Sequence, residues 1–236
     1  MTYDYIATLS ERFMAWGAPA VIWLEPERGF LELALWKHRF PSRKARFCTQ
    51  FLKVIPTRKD IDALLQAGHE VTLFSGTRHD ESTDREALQP ESFDDGFGCV
   101  VRRPILTWTR EQVFAYVEKF GIPRNPLYDL GAWRVGCFPC INSRKAEIAA
   151  MAEHRPERVE ELRQWETKVG SSFFAPKTTP PQFRSRKVWS ERQQRFFMVP
   201  TIDDVVEWSK TDRGGRQYSL KLDQGLTCDS GKGLCE

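Results

Sequence analysis

The strongest constraint on the fold is an alternation of short apolar runs of strand length with amphipathic stretches of helix length, punctuated by Gly and Pro. Glu70-Val-Thr-Leu-Phe74 and Gly98-Cys-Val-Val-Arg102 read as strands, and Ala20-Val-Ile-Trp-Leu24 is a run of the same kind. Ile6, Leu9, Phe13 and Trp16 recur at helical spacing, as do Phe47, Phe51, Leu52 and Ile55. Residues 30–37 and 59–67 add two further helical stretches, the latter closed by Gly68 as a C-cap. Thr109-Arg-Glu-Gln112 has capping-box spacing for a helix running to Phe120. Strands alternating with helices of about ten residues predict an α/β domain with a doubly wound, mostly parallel sheet. Ligands of such sheets sit beyond the carboxyl ends of the strands, which is where the polar loop 75–82 falls.

The 236 residues suit one such domain with an extension, here divided as 1–145 and 146–236. Residues 143–169 read as helical and highly charged, Pro176, Pro180 and Pro181 mark a linker, and 182–222 are basic and aromatic with little periodicity. Net charge is only +3, so no global field marks a nucleic-acid or membrane binder. No apolar run approaches the ~20 residues of a membrane span. The start Met-Thr-Tyr-Asp-Tyr lacks the basic and apolar regions of a signal peptide, so a cytoplasmic protein is expected. Six cysteines in a reducing compartment are metal ligands, catalytic thiols or buried small residues rather than a disulfide framework.

Cys137-Phe-Pro-Cys140 is a C-x-x-C pair, which suits a redox dithiol, half a zinc site, half an iron–sulfur site or two unreactive thiols. A four-thiolate site needs two more ligands, and Cys48, Cys228 and Cys235 offer them. Cys99, between Gly98 and Val100-Val101, is expected in the core. Arg78 with His79, Asp80, Glu81, Ser82 and Arg85 follows a buried strand, a place for a phosphate or a nucleotide, or else a solvated polar turn. Ser75-Gly-Thr lacks the second Gly and the Lys of a phosphate-cradling loop. Lys177, Arg184, Arg186, Lys187, Arg192 and Arg195 interleave with Phe183, Trp189, Phe196 and Phe197; this suits single-stranded nucleic acid, or a covering segment with a solvated basic face. Glu157, Arg158, Glu160, Glu161 and Arg163 suit an exposed helix face, and the four His are dispersed.

Four stretches in order resemble the phosphoadenosine phosphosulfate (PAPS) reductase family of the adenine-nucleotide alpha-hydrolase-like fold. They are Arg46-Phe-Cys-Thr…Lys53, Gly76-Thr-Arg-His-Asp-Glu-Ser82…Arg85, Arg103-Pro-Ile-Leu-Thr-Trp-Thr…Val113, and Asn125-Pro-Leu-Tyr-Asp…Arg134-Val-Gly-Cys-Phe-Pro-Cys140. The resemblance covers about residues 1–145. It implies an adenine nucleotide substrate (PAPS, APS or ATP) and an oxidoreductase or sulfurtransferase that cleaves a sulfonate. It implies substrate contacts from Arg46, Lys53, Arg78, Glu81, Ser82, Arg85 and Arg134. It also implies a 4Fe–4S cluster, with zinc as the alternative, on Cys48, Cys137, Cys140 and Cys228, and a thioredoxin-like reductant.

Three departures accompany the resemblance. The match begins at Thr2-Tyr-Asp-Tyr, past the family's Ser-Gly-Gly-x-Asp-Ser phosphate loop, so the chain is expected to lack the first strand and its crossover. A separate polypeptide would then carry that loop, or the chain would be a remnant that no longer handles nucleotides. Thr49 stands where a tandem cysteine is expected, and the tail Cys228-Asp-Ser-Gly-Lys-Gly-Leu-Cys235-Glu shares only Gly-Leu and a cysteine with the family's nucleophile motif. Cys235 is the expected nucleophile. Two other readings keep the fold: modification or thiolation of nucleic acid through 177–197, and an inactive binding module with a structural metal.

Overall fold

The computed structural model of the chain describes residues 2–132, 135–191 and 193–212. The first elements are α1 (Thr2–Ala15), α2 (Phe30–Trp36), α3 (Phe47–Thr49), a π-helical segment (Gln50–Val54) and α4 (Ile55–Gln66). Then follow β1 (Thr72–Phe74), α5 (Thr83–Glu86), β2 (Glu91–Asp94), β3 (Cys99–Arg102) and α6 (Arg110–Glu118). The last are α7 (Lys145–His154), α8 (Pro156–Val169), β4 (Arg186–Ser190), β5 (Arg195–Val199) and α9 (Ile202–Ser209). Among the described residues no helix is long and apolar enough to cross a membrane. Contacts divide the chain into two compact units.

One unit contains Ile6–Glu27 and Thr49–Arg124. Its sheet has the order β1-β3-β2, making the architecture α/β. The expected parallel pairing joins β1 to β3, with Thr72 opposite Val100 and Phe74 opposite Arg102. The antiparallel β2, which periodicity did not suggest, is set by a tight turn: Asp94 O accepts from Phe97 N (3.2 Å) and Gly98 N (2.7 Å), and Gly98 sits at φ +67°. Across the edge, Arg102 Nε donates to Glu91 Oε2 at 2.6 Å. Ile61, Cys99, Val101 and Leu106 are buried in this unit, which places Cys99 in the core as its strand position predicts. Helix α6 starts as its sequence dictates, with Gln112 N bound to Thr109 Oγ1 (3.2 Å) and Thr109 N to Gln112 Oε1 (2.8 Å).

Residues 20–24 form no strand. Their backbone has no ladder partner among the described residues, and Val21 N bonds instead to Ser10 Oγ at 3.0 Å. An apolar run supplies strand propensity, but a strand exists only when a neighbour takes its hydrogen bonds.

The other unit contains the described residues of Met1–Tyr5, Arg28–Cys48 and Asn125–Ser219. Ala34, Phe40, Ile148, Met151, Leu162, Phe173, Phe174, Ile202, Val205 and Trp208 make its core, drawn from α2, α7, α8, α9 and the segment after α8. The helical stretch from 143 is two helices, because Pro156 has no N–H to continue α7 and starts α8 at its first position instead. Within 182–222, where the sequence shows little periodicity, the described residues hold the β4–β5 hairpin and α9. Thr201 and Asp204 form a capping box on α9 (Thr201 N to Asp204 Oδ2 2.8 Å, Asp204 N to Thr201 Oγ1 3.3 Å).

Candidate functional site

The loop after β1 leaves the sheet beside β3. Ser75 N extends the ladder to Arg102 O (2.8 Å), and His79 N reaches Leu106 O (2.7 Å), so the segment runs along the carboxyl ends of two parallel strands. There it coils into a turn of 3₁₀ helix at His79–Glu81 and the short α5. Arg78, Glu81, Ser82 and Arg85 are brought together by this coiling. Arg78 Nε donates to Asp80 Oδ1 at 3.0 Å, and its Nη1 lies 3.5 Å from Glu81 Oε1. Arg85 pairs with the other oxygen, Glu81 Oε2. One carboxylate therefore holds two guanidinium forks next to each other, all three side chains partly sheltered from solvent.

Asp80, which the residue pattern alone did not single out as a partner, fastens this cluster to α6 by accepting from Arg110 N (3.3 Å). His79 Nε2 lies 3.2 Å from Leu88 O. Arg103, buried, donates through Nη1 to Gln89 O and Ser92 Oγ, both at 3.0 Å, and so fixes β2 beside the loop. Its signal in the sequence was the Arg103-Pro dipeptide at a strand end. Ser82 differs from its neighbours. The residue is 4% exposed and, among the described residues, its Oγ has no hydrogen-bond partner. A buried hydroxyl left unmatched carries a desolvation cost that a bound acceptor would relieve.

The C-x-x-C lies in the other unit. Cys137 is exposed, Cys140 is half-buried, and neither is in a disulfide. Ser143 closes the loop, its Oγ accepting from Cys140 N (3.0 Å) and its N donating to Cys140 O (2.9 Å). Phe138 and Ile141 pack against the aromatic core, and Arg158 Nε donates to Phe138 O at 2.7 Å, so the loop is anchored at its middle. Asn125 is buried and braces the preceding turn, accepting from Leu127 N (3.0 Å) and donating to Thr2 Oγ1 (3.3 Å).

Arg46 and Cys48 flank the start of α3, both half-buried, whereas Lys53 is exposed within the π-helical segment. That wide turn, with Ile55 N bonded to Gln50 O, is a feature no propensity pattern encodes and one that recurs at functional positions. The chemistry of Cys137 and Cys140 suits a soft metal or cluster. Among the described residues, however, no three His, Cys, Asp or Glu side chains gather as a metal-holding group. Arg134, Cys228 and Cys235 lie outside the described residues.

Comparison with known proteins gives this geometry its context. A family model described as the phosphoadenosine phosphosulfate reductase domain matches residues 1–143. The chain is 39% identical over 219 residues to an uncharacterized 37.8 kDa protein of Escherichia phage 186, covering 88% of this chain and 64% of that protein. It is 29% identical over 145 residues to adenosine 5'-phosphosulfate reductase 2 of Bacillus subtilis (strain 168), covering 59% of this chain and 56% of that one. Against the adenosine 5'-phosphosulfate reductase of Geobacillus thermodenitrificans (strain NG80-2) the identity is 31% over 145 residues, with the same coverage. The chain thus spans less than two thirds of each of these relatives. Both loops described above fall within the matched residues, and on that match the chain belongs to the phosphoadenosine phosphosulfate reductase family.

Proposed function

We propose that the chain binds an adenine sulfonucleotide and takes part in reducing its sulfonate, with the Arg78–Glu81–Arg85 cluster as the anion site. The observation that carries this reading is the joint one of two guanidinium forks held by one carboxylate and, next to them, a buried hydroxyl without a partner. Guanidinium forks match phosphate and sulfate oxygens in pairs, and Ser82 Oγ would donate the remaining bond. Glu81 is a positioning residue here, since a carboxylate repels the anion but aligns the cations that hold it. Arg46, Lys53 and Arg134 would add positive charge around the substrate.

Cys235 would act as nucleophile. Its thiolate forms a bond to the sulfonate sulfur, the bond from that sulfur to the phosphate oxygen breaks, and the nucleoside phosphate leaves with the electron pair. A dithiol protein of thioredoxin type then displaces sulfite and is itself oxidised to a disulfide. Cys48, Cys137, Cys140 and Cys228 are the thiols that would hold a 4Fe–4S cluster, or alternatively zinc. Such a group would fix the loop and add local charge, with Arg46 and Lys53 offsetting its thiolates. A separate polypeptide bearing the phosphate loop would complete a doubly wound sheet, and free thiols suit a cytoplasmic setting.

Binding of adenosine 5'-phosphosulfate, measured calorimetrically under anaerobic conditions, tests the anion site. Arg78→Ala should weaken it about 10- to 150-fold, the worth of a charge-assisted hydrogen bond. The reading fails if the nucleotide binds neither to the chain nor to the chain together with the product of the adjoining reading frame, or if Arg78→Ala leaves affinity unchanged. A tail peptide carrying a sulfonate on Cys235 after turnover would support the nucleophile; its absence in an active preparation would remove Cys235 from that role.

A further inference from the structure

The β4–β5 hairpin presents two unlike faces. Its register places Lys187 opposite Met198 and Trp189 opposite Phe196 on one face, and Val188 opposite Phe197 on the other. The second face is half-buried and ends at the buried Val199. The first is open to solvent: Trp189 is 46% exposed, Phe196 56% and Met198 44%. An outward strand face is ordinarily polar, so an aromatic one calls for an explanation.

The rings form a unit. Trp189 and Phe196 meet edge to face with centroids 4.9 Å apart, and Lys187 Nζ lies 4.2 Å from the Phe196 centroid. On the other face Arg195, also exposed, sits over Phe197 at 4.5 Å. Residues 186–199 carry Arg186, Lys187, Arg192 and Arg195 against the single acid Glu191. From these observations we infer that the outer face of this hairpin binds single-stranded nucleic acid, with bases stacking on Trp189 and Phe196 and with Lys187 contacting phosphate. The inference goes beyond the sulfonucleotide reading and does not depend on it.

Charge decides between occupants. A protein partner covering exposed rings selects interface centres depleted in Lys, whereas a nucleic-acid face combines rings with cations. Successive outward positions on a strand lie about 7 Å apart (two residues at roughly 3.4 Å each), so the aromatic rung and the Lys187 rung are spaced to take a base and its neighbouring phosphate. Among the described residues Lys187 is held by an exposed cation–π contact to Phe196, which a phosphate readily displaces. The strands hold the rings in place before any ligand arrives, leaving little side-chain entropy to lose on binding.

The test is fluorescence anisotropy of a labelled oligodeoxythymidine with the full chain, against a duplex of equal length. Single-strand binding should fall steeply with salt, by about 0.7 in the log–log slope for each phosphate neutralised. Trp189→Leu and Phe196→Leu keep the face apolar but remove stacking; each should weaken binding about 5- to 150-fold with an unchanged circular dichroism spectrum. Lys187→Ala should weaken it less and lower the salt slope by about 0.7. Equal affinity in the Leu variants, a preference for duplex, or no binding at low salt would each overturn the inference. So would self-association of the chain that Trp189→Lys abolishes, since the face would then be covered by a second copy. Intact sulfonucleotide binding in the Trp189→Leu variant keeps this result separate from the anion site.

Discussion

Two carboxylates, one in each unit, show how differently this chain uses sheltered charge. Glu166 of α8 is 4% exposed and has its full set of partners within the backbone: Oε1 accepts from Phe173 N (2.7 Å) and Oε2 from Ile202 N (3.0 Å). It thereby ties three segments of the aromatic core together and satisfies the first N–H of α9. Glu81, in the loop after β1, binds no backbone of another segment among the described residues and holds two Arg side chains, with the orphaned Ser82 hydroxyl next to it in sequence. A buried polar group whose partners are complete belongs to the architecture. One left incomplete, in a loop that aligns two guanidinium groups, is prepared for something that arrives later. The difference gives a rule for sorting polar residues in such a chain, and mutation can break it.

The largest effect is expected at Glu166. Glu166→Ala strands two buried amides, each worth about 1–3 kcal/mol, so chemical denaturation should show a loss of about 2–5 kcal/mol. A loss below half a kcal/mol would mean that water replaces the carboxylate and that the core is looser than its burial implies. Burial outweighs the two amide donors and raises the carboxyl of Glu166 above its usual value. The folded state therefore binds this proton more tightly than the unfolded chain. The stability from this group is fully present below its unfolded pKa and is lost as pH rises through the raised folded value. Denaturation midpoints across the acid range should show that slope, and it should vanish in Glu166→Gln.

Ser82→Ala should do the reverse. Removing a hydroxyl that has no partner leaves stability within about 0.5 kcal/mol of the parent. Sulfonucleotide affinity, measured by calorimetry, should nevertheless fall about 10- to 150-fold, the usual worth of one hydrogen bond to a charged group. A clear loss of stability with unchanged affinity would reassign Ser82 to the architecture and erase the contrast with Glu166.

The smallest effect belongs to the ion pairs on the surface of α8. Arg163 bridges to Asp203 (2.7 Å) and to Glu160, but all three side chains are about half exposed. Arg163→Ala should cost at most about 1 kcal/mol, and raising the salt should shrink the difference. Thermal melts at two ionic strengths measure it. A larger, salt-insensitive cost would show that α9 depends on this pair for docking.

The sequence made some of this legible and hid the rest for identifiable reasons. Local chemistry was readable: the Thr109–Gln112 box, the positive φ (+82°) of Gly68 after α4, and Cys99 inside an apolar strand all follow from side chains acting on their own neighbours. The Pro156 break and the Thr201–Asp204 box were equally local and stood in the sequence as signals. Pairing was not readable. Glu91-Ser-Phe-Asp94 becomes a strand because β3 offers it an edge, whereas the more apolar 20–24 finds none. The hairpin was hidden because aromatic residues occupy both of its faces, erasing the alternation that marks a strand. In the candidate site, motif order assembled Arg78, Glu81, Ser82 and Arg85, but an orphaned hydroxyl and the grip of Asp80 on Arg110 exist only in three dimensions.

The wide turn at Gln50–Val54 acts as a phase shifter in the helix that runs from Thr49 toward the buried Ile61. One residue advances an α-helix by about 100°, so an added residue resets which side of the cylinder each later position meets. Deleting one residue there would restore regular bonding and make the helix itself more favourable. It would also turn Thr49 away from the direction it holds relative to Ile61. Selection for stability alone would remove such a turn; its retention would register a requirement for direction.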